Sequence, residues 1–324
     1  MTTPLPLAAG GPALGQGRTP RPPLVPLRAP YLIVDDFLSA ELAQAMRADI
    51  DAHFARPEAH RPQTHQVWNY WFVPDLYAYL RTAPEKVIAR ASVEAFVAAL
   101  RAWSTARLGM ARVIWPYLSL YVAGCGQGLH NDSANGRFAF VYSLTRDDRR
   151  STGGETLIMR EGDPVRGHLA GPAAGAAFYD VIEPRFNRLV VFDDRMPHAV
   201  QRIEGPMDPT EGRFVLHGHL SEAGTLVEGA LAVDVVTPPM MDALRALADR
   251  AAAQLSLCQG PLVLRLVIGA AGTVETCSVL VDRVLHRDPG DATWEGLRAR
   301  IVEDLGALRF PPAAGPTTVV QPIL

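Results

Sequence analysis

The sequence has very little lysine and cysteine, and it lacks long apolar runs. Among its 31 basic residues Lys86 is the only lysine, so arginine carries nearly all of the positive charge. The cysteines are too few and too scattered for a disulfide framework or a zinc ribbon; they are Cys125, Cys258 and Cys277. No apolar segment reaches the roughly 18 to 20 residues that a membrane-spanning helix needs. The sequence therefore predicts neither a disulfide scaffold nor a membrane protein.

The charge balance gives no sign of a nucleic-acid partner. The formal net charge is −3 at pH 7, and no run of basic residues is interleaved with aromatics. We therefore predict that the protein binds neither DNA nor RNA. Residues 1–17 contain no basic residue ahead of their short apolar patches, which is unlike a secretory signal, and the predicted location is the cytoplasm.

Length and composition predict one large domain and one small domain. The chain has 324 residues, of which 48% are hydrophobic, and this is enough to bury a sizeable core. Residues 1–28 are dense in proline and glycine, so we expect a disordered tail there. The composition changes again after Gly224. We therefore predict a main domain over 29–224 and a C-terminal domain over 225–324.

Flanking elements are predicted ahead of the main sheet. A strand over 31–34 precedes a helix that begins after Ser39, its predicted N-cap, and ends near Ala55. Residues 57–64 are interpreted as a loop. Residues 75–108 are interpreted as a helical region interrupted near Pro84, because apolar residues recur at spacings of three and four. The aromatic segment 67–72 is interpreted chiefly as core, with some rings lining the entrance to a site.

From residue 113 the pattern changes to short strands separated by glycine, proline and aspartate turns. The predicted strands span 113–122, 137–145, 155–160, 177–180, 189–193, 198–203 and 212–220, with a loop over 164–176. Since no long helix separates them, they predict an antiparallel sandwich or jelly roll.

The last hundred residues predict a small α+β unit, so the chain as a whole falls in the α+β class. Its predicted strands span 231–236, 261–268, 274–281 and 317–323, and its predicted helices span 240–257 and 294–308. It carries no cluster of chemically reactive residues.

The stretch from Tyr117 to Asp132 organises the chemistry of the chain. An alternating strand pattern breaks at glycines 124, 126 and 128, and His130 and Asp132 follow. In an extended segment residues i and i+2 point to one face, so this imidazole and carboxylate can bind one metal ion. Two histidines and one carboxylate on one face of the metal are typical of non-haem Fe(II) oxygenases. His198 is the predicted second histidine.

An ordered set of motifs around these ligands resembles the prolyl 4-hydroxylase-like branch of the 2-oxoglutarate/Fe(II) dioxygenases. Tyr121 lies nine residues before His130, G-G-E-T follows at residues 153–156, and Arg213 follows His198. The resemblance covers roughly residues 30 to 220. It implies a double-stranded β-helix, that is, a jelly roll, with N-terminal flanking helices.

The resemblance also implies cofactors and residue roles. Fe(II) is held by His130, Asp132 and His198, 2-oxoglutarate and O2 are co-substrates, and ascorbate serves as a reductant. Arg213 pairs with the distal carboxylate of 2-oxoglutarate, as no lysine follows the metal motif. Tyr121 adds a hydrogen bond at the same end.

Two positions depart from the family pattern. Val215 stands where the family often has a hydroxyl residue, so we expect Tyr121 or Tyr117, on the same strand face, to compensate. His219 stands where a tryptophan is common. Neither departure touches the metal ligands. Because related halogenases lack the acidic ligand that Asp132 provides here, hydroxylation is the expected reaction.

The C-terminal string L-V-L-R-L-V-I-G-A-A-G-T-V, with a later R-F-P-P, resembles the C-terminal domain of TonB-type proteins, a protein-interaction module. Three functions therefore stay open. The first is hydroxylation of an amino-acid side chain in a peptide or protein, with the C-terminal domain holding the polypeptide. The second is hydroxylation of a free amino acid or small metabolite. The third is a non-catalytic interaction protein that binds a partner through its C-terminal domain.

Overall fold

A computed structural model describes residues 26–55, 67–133, 135–160, 178–286 and 292–323. The loops predicted over 57–64 and 164–176 lie outside these ranges, as do residues 1–25 of the predicted tail. Within the described residues, no helix combines the length and the apolar character that crossing a bilayer requires.

The N-terminal flank contains two helices and a hairpin. Its elements are β1 (Tyr31–Val34), α1 (Ala40–Phe54), β2 (Asn69–Val73), β3 (Tyr77–Thr82) and α2 (Arg90–Leu108). The Ser39 side chain accepts a hydrogen bond from the Leu42 amide, which confirms the predicted N-cap. The helical prediction was wrong at its start, because residues 77–82 form a strand.

The hairpin explains that error. Tyr77, Tyr79 and Thr82 favour extended structure, and β3 pairs in antiparallel register with β2, which places Trp71 opposite Tyr79. Asp75 turns the chain with a positive φ of 62°. Pairing of aromatic residues across the hairpin therefore makes residues 77–82 a strand, since their apolar residues follow the helical spacing only weakly.

The strands that follow build the main sheet. They are β4 (Arg112–Val113), β5 (Tyr117–Tyr121), β6 (Gly126–His130), β7 (Phe138–Ser143), β8 (Thr156–Met159), β9 (Tyr179–Ile182), β10 (Leu189–Asp193), β11 (His198–Val200) and β12 (Arg213–Ser221). The single strand predicted over 113–122 is divided. Pro116 lies in the gap, where its missing N–H cannot join a ladder.

The main sheet has 12 strands and curls onto itself. Its order is β1-β10-β7-β12-β5-β3-β6-β11-β8-β9, with β2 on β3 and β4 on β12, and the pairs are antiparallel. Arg213 on β12 donates to the Thr156 hydroxyl on β8 at 3.1 Å, although several strands separate β12 from β8 in that order. The two faces of the curl therefore meet around a common interior. This half-barrel is consistent with the predicted jelly roll.

The C-terminal unit is a second, smaller α+β layer. Its elements are β13 (Leu226–Gly229), α3 (Val233–Leu255), β14 (Cys258–Gln259), β15 (Leu262–Ile268), β16 (Val274–Asp282), β17 (Leu285–His286), α4 (Ala292–Gly306) and β18 (Thr317–Ile323). A 4-stranded sheet has the order β13-β18-β15-β16. The strand predicted over 231–236 was wrong, since α3 begins at Val233. Val236 and Met240 are both buried one helical turn apart, so packing overrode the β propensity of the valines.

The two layers share one apolar core. Val263, Leu280 and Val281 of the C-terminal unit belong to the same buried cluster as Leu118 and Phe140 of the main sheet. A second cluster lies within the C-terminal unit. The C-terminal unit packs against the end of α2 at Gly109, where a Cβ would lie 2.6 Å from Val263 Cγ1, and through α2 it shares the core of the main sheet.

Leu27 joins the same cluster, although the sequence placed it in the disordered tail. It is buried, its amide donates to the Leu280 carbonyl at 2.9 Å, and its carbonyl accepts from the Asp282 amide at 3.0 Å. The predicted tail therefore includes at least one residue, Leu27, that is packed into the core.

The G-G-E-T turn requires its glycines. Gly153 and Gly154 both have a φ of 81°, a region that L side chains rarely adopt. A Cβ on Gly153 would clash with the backbone carbonyl of Arg202, and a Cβ on Gly154 would lie 3.1 Å from Cδ of Arg213. Gly153 therefore packs against the Arg202 backbone, and Gly154 against the Arg213 side chain, at distances that leave little room for a Cβ.

We predict that Gly153→Ala lowers the free energy of unfolding by roughly 3 kcal/mol or more, because it adds a backbone clash to the strain of a positive φ. Gly224→Ala is the matched control. Gly224 has a similar φ of 87° but no atom near the place of a Cβ, so the cost there should be about 1 to 2 kcal/mol. Denaturant unfolding measures both. Equal losses in the two variants would contradict the packing argument.

Candidate metal centre

The three predicted ligands meet at one end of neighbouring strands. His130 is the last residue of β6, His198 is the first residue of β11, and the two are paired in antiparallel register. Asp132 follows His130 by two residues. One ligand atom from each residue lies within 4.8 Å of the other two, and Asp132 Oδ2 is 3.5 Å from His198 Nε2. This group suits a single cation.

Backbone hydrogen bonds orient both imidazoles. His130 Nδ1 lies 2.8 Å from the Gly128 carbonyl, and His198 Nδ1 lies 3.0 Å from the Met196 carbonyl. A carbonyl only accepts, so each Nδ1 carries the proton and each Nε2 keeps its lone pair for a metal.

The electrostatics of His198 also favour metal binding. Burial, and next the nearby His130, lower the pKa of His198 to about 4, so it is neutral at pH 7. A neutral imidazole is the form that binds a metal. Two such imidazoles and one carboxylate on one side, with Asp132 partly open to solvent, fit the facial site of an Fe(II) oxygenase.

Arg213 is a buried cation without a counter-ion. Its Nη2 donates to the Thr156 hydroxyl, its Nε has no hydrogen-bond partner, and its guanidinium lies 4.9 Å from the centre of the Tyr121 ring. Burial lowers the pKa of Arg213. No ion pair joins it to a carboxylate in the part of the chain that the structure describes. An uncompensated buried charge is costly, so this site is suited to receive an anionic ligand group.

Of the two predicted tyrosines, the structure brings only Tyr121 to Arg213. Tyr121 is buried opposite Arg213 in the β5–β12 register, and burial raises the pKa of its phenol. Tyr117 lies at the other end of β5, opposite His217, with 45% of its surface exposed. Its ring is covered by the Arg81 guanidinium at 4.1 Å.

Gln127 is a site residue that the sequence did not indicate. Its Oε1 accepts from the Tyr121 hydroxyl at 3.1 Å, and its Nε2 lies 3.1 Å from His130 Nε2. His130 lies three positions after Gln127, so regular alternation would place their side chains on opposite faces. The register with β11 shifts between His198↔His130 and Val200↔Gln127, and this irregularity turns Gln127 toward the site.

The loop before His198 adds a second unpredicted residue. The Asp194 carbonyl accepts from the Asp132 amide at 2.9 Å. The Asp194 carboxylate is buried 3.6 Å from His219 Nδ1, and burial raises its pKa. The adjacent aspartates in V-F-D-D are the only signal in the sequence, and they do not reveal these contacts.

The two histidines of β12 contact side chains outside the metal-binding group. His217 Nε2 lies 2.8 Å from the Ser119 hydroxyl, and burial, then Arg81, lower its pKa to about 3. Among the described residues, neither His217 nor His219 belongs to the metal-binding group.

Comparisons with known proteins agree with this chemistry. Residues 117–220, about a third of the chain, match the model of the 2OG-Fe(II) oxygenase superfamily. That segment contains the three candidate ligands and Arg213. A search of curated proteins found no significant match.

Several solved structures are similar to the chain. A prolyl hydroxylase from Trichoplax adhaerens, in complex with a hypoxia inducible factor peptide fragment, has 15% identity and a TM-score of 0.42, covering 58% of this chain and 81% of its own. A Pseudomonas putida prolyl-4-hydroxylase has 17% identity and a TM-score of 0.41, covering 59% and 92%. A 2OG-Fe(II) oxygenase family oxidoreductase from Burkholderia pseudomallei has 16% identity and a TM-score of 0.39, covering 58% and 83%.

These TM-scores lie below 0.5, so the likenesses carry no argument about substrate. The family match and the His-Asp-His group decide the class of chemistry. Residues 117–220 form a 2OG-Fe(II) oxygenase domain, and the chain is an enzyme that uses Fe(II), 2-oxoglutarate and O2.

Proposed function

We propose that this oxygenase hydroxylates an amino-acid side chain within a peptide or protein. His130, Asp132 and His198 hold the iron, and Arg213 binds the distal carboxylate of 2-oxoglutarate. When bound, the iron and 2-oxoglutarate activate O2, so that one oxygen atom enters a substrate C–H bond and 2-oxoglutarate becomes succinate and CO2. Because Asp132 fills the acidic ligand position, hydroxylation is the proposed outcome.

The chain's own residues supply geometry and charge. The Arg213 guanidinium can make two parallel, charge-assisted hydrogen bonds to a carboxylate, in an interior that excludes water. Tyr121, in contact with that guanidinium, can donate to the same ligand if it releases Gln127. The Gly128 and Met196 carbonyls accept from Nδ1 of His130 and His198, and this orients Nε2 of each ring toward the metal site.

The observation that carries the polypeptide proposal is an open cleft beside His198. The cleft has a volume of about 630 Å³ and lies between the main sheet and the C-terminal unit. Its lining includes Met159, Met196, Pro197, Leu285, Trp294 and Arg298. Pro197 on the cleft wall directly precedes His198 in the sequence, and we propose that a polypeptide bound in the cleft extends from there to the metal. We propose that the C-terminal unit, with its TonB-like sequence pattern, forms this wall to hold a polypeptide.

An exposed aromatic hairpin on the side of His130 supports the same proposal. Tyr70, Trp71 and Phe72 on β2 expose between 43% and 61% of their surface. Tyr70 and Phe72 stack with ring centres 5.8 Å apart, and the hairpin reaches the metal site through Tyr77, whose ring contacts His130. Exposed aromatic patches of this kind commonly mark contact surfaces. A small metabolite would need neither this patch nor the cleft.

The direct test is to incubate the purified protein with Fe(II), 2-oxoglutarate and pools of synthetic peptides. We predict that some peptides gain the mass of one oxygen atom, and that Asp132→Ala abolishes both this gain and succinate formation while the protein stays folded by circular dichroism. Oxidation of free amino acids alone, with no peptide modified, would contradict the polypeptide proposal. Wild-type succinate formation by Asp132→Ala would contradict the metal assignment.

Arg213→Ala should weaken 2-oxoglutarate binding by roughly 30-fold or more. Truncating one member of a buried charge pair typically costs about 2 to 5 kcal/mol, and each 1.4 kcal/mol is about tenfold in affinity. Arg213→Lys should keep part of the binding, since lysine keeps the positive charge but cannot make the two parallel hydrogen bonds of a guanidinium. The measurement is an anaerobic titration of the Fe(II) protein, followed by its metal-to-ligand absorption band. Arg202→Ala is the control, because Arg202 is exposed and paired with Glu204, and a larger loss there would reassign the role.

Leu285→Asp tests the cleft itself. Leu285 is 51% exposed on the cleft wall, so a charge there should lower hydroxylation of a modified peptide several-fold and leave peptide-independent succinate formation unchanged. Val233→Asp is the control, since Val233 is 54% exposed in the same unit but does not line the cleft. Both rates are measured by mass spectrometry. Equal peptide hydroxylation by the two variants would exclude the cleft as the binding surface.

A further inference from the structure

We propose that the C-terminal unit positions the metal centre, with Arg283 and Arg195 as positioning residues. The structural intermediary is the segment from Asp193 to Pro197, here called the ligand loop, which connects β10 to His198. This inference rests on the metal site of the proposed function, but it does not depend on the nature of the substrate.

The ligand loop touches two of the three proposed ligands through its backbone. The Asp194 carbonyl accepts from the Asp132 amide at 2.9 Å. The Met196 carbonyl accepts from His198 Nδ1 at 3.0 Å. Any displacement of this loop therefore changes the position of a carboxylate and the orientation of an imidazole together.

The C-terminal unit fixes the same loop from the other side. Arg283 Nε lies 3.1 Å from Asp193 Oδ2, and these side chains are only 4% and 1% exposed. Arg283 also donates to the Arg28 carbonyl at 2.6 Å. The loop is thus connected to the end of β16 by a buried ion pair.

Arg195 makes the reverse connection. Its guanidinium donates to the Gln259 carbonyl at 2.7 Å and to the Arg283 carbonyl at 2.6 Å, both in the C-terminal unit. It also pairs with Asp193, so one carboxylate is shared by two arginines. The Asp193 carboxylate is therefore the point where the oxygenase domain and the C-terminal unit are joined beside the metal centre.

The backbone of the C-terminal unit is shaped to receive Arg195. Gly260 has a φ of 120°, and a Cβ at this position would clash with the Arg195 guanidinium and the Arg283 carbonyl. A side chain there would displace the Arg195 guanidinium from its contacts or shift the Arg283 backbone. Because Gly260 directly follows Gln259, this close approach belongs to the same contact.

The expected consequence is measurable as metal affinity. Loss of partners that orient metal ligands typically costs 10- to 100-fold in affinity. Removing the Arg283 charge also leaves the buried Asp193 carboxylate with one arginine instead of two, so the loop should relax. We expect Arg283→Met to weaken metal binding about tenfold or more, and Arg283→Lys to recover part of the loss.

The experiment uses the full chain and Mn(II) as the probe, titrated anaerobically and followed by electron paramagnetic resonance, with thermal unfolding measured in parallel. Arg188→Met is the matched control. Arg188 is similarly buried, at 8% against 5% for Arg283, and pairs with Asp35 at the opposite end of β10. It should lower the unfolding temperature while leaving the affinity for Mn(II) unchanged.

Three results would overturn the inference. One is wild-type Mn(II) affinity in Arg283→Met, and another is an equal loss of affinity in Arg188→Met, which would indicate general destabilisation. If Arg283→Met fails to fold, Arg195→Gln takes its place, and unchanged affinity in that variant is the third. A wild-type protein that binds no Mn(II) would instead overturn the metal site itself, and a protein that binds Mn(II) but modifies no peptide would overturn only the proposed substrate.

Discussion

The pairing of β6 with β11 is the constraint on which the chemistry depends. It sets His198 opposite His130, and the antiparallel ladder leaves both imidazoles on the inner face of the curl. A slip of one residue would send one histidine to the other face, because side chains alternate along a strand. The neighbouring pairing of β11 with β8 fixes His198 from its second side, opposite Ile158. The metal site therefore depends on backbone register as well as on the loop contacts of Asp132.

Two buried arginines show contrasting uses of charge. Arg283 faces Asp193 and contributes to the contact between layers, so its charge is neutralised within the protein. Arg213 faces a hydroxyl and an aromatic ring, and it makes no ion pair with any residue that the structure describes. Stability alone would favour replacing Arg213 by an apolar residue, whereas an anion receptor requires it. Arg283 therefore stabilises the contact between the two units, whereas Arg213 is suited to bind a ligand.

Local patterns predicted much of this structure, and long-range contacts account for the rest. Strands over 31–34, 189–193 and 317–323 have the predicted bounds, because each is a short β-rich run between turn residues. The ligand spacing and Arg213 could be read from motifs. Gln127 could not, because a register irregularity decides its direction. Leu27 could not either, since its burial depends on residues more than 250 positions away.

The shared core has a consequence for how the protein is made. Val263, Leu280 and Val281 complete the apolar cluster that also contains residues of α2 and the main sheet, and they are translated long after the metal ligands. Until Val263 is synthesised, the end of α2 at Gly109 lacks its apolar partner, and transiently exposed apolar surface of this kind is prone to aggregation. The core of the oxygenase domain is therefore completed only after the synthesis of residues that take no part in its chemistry.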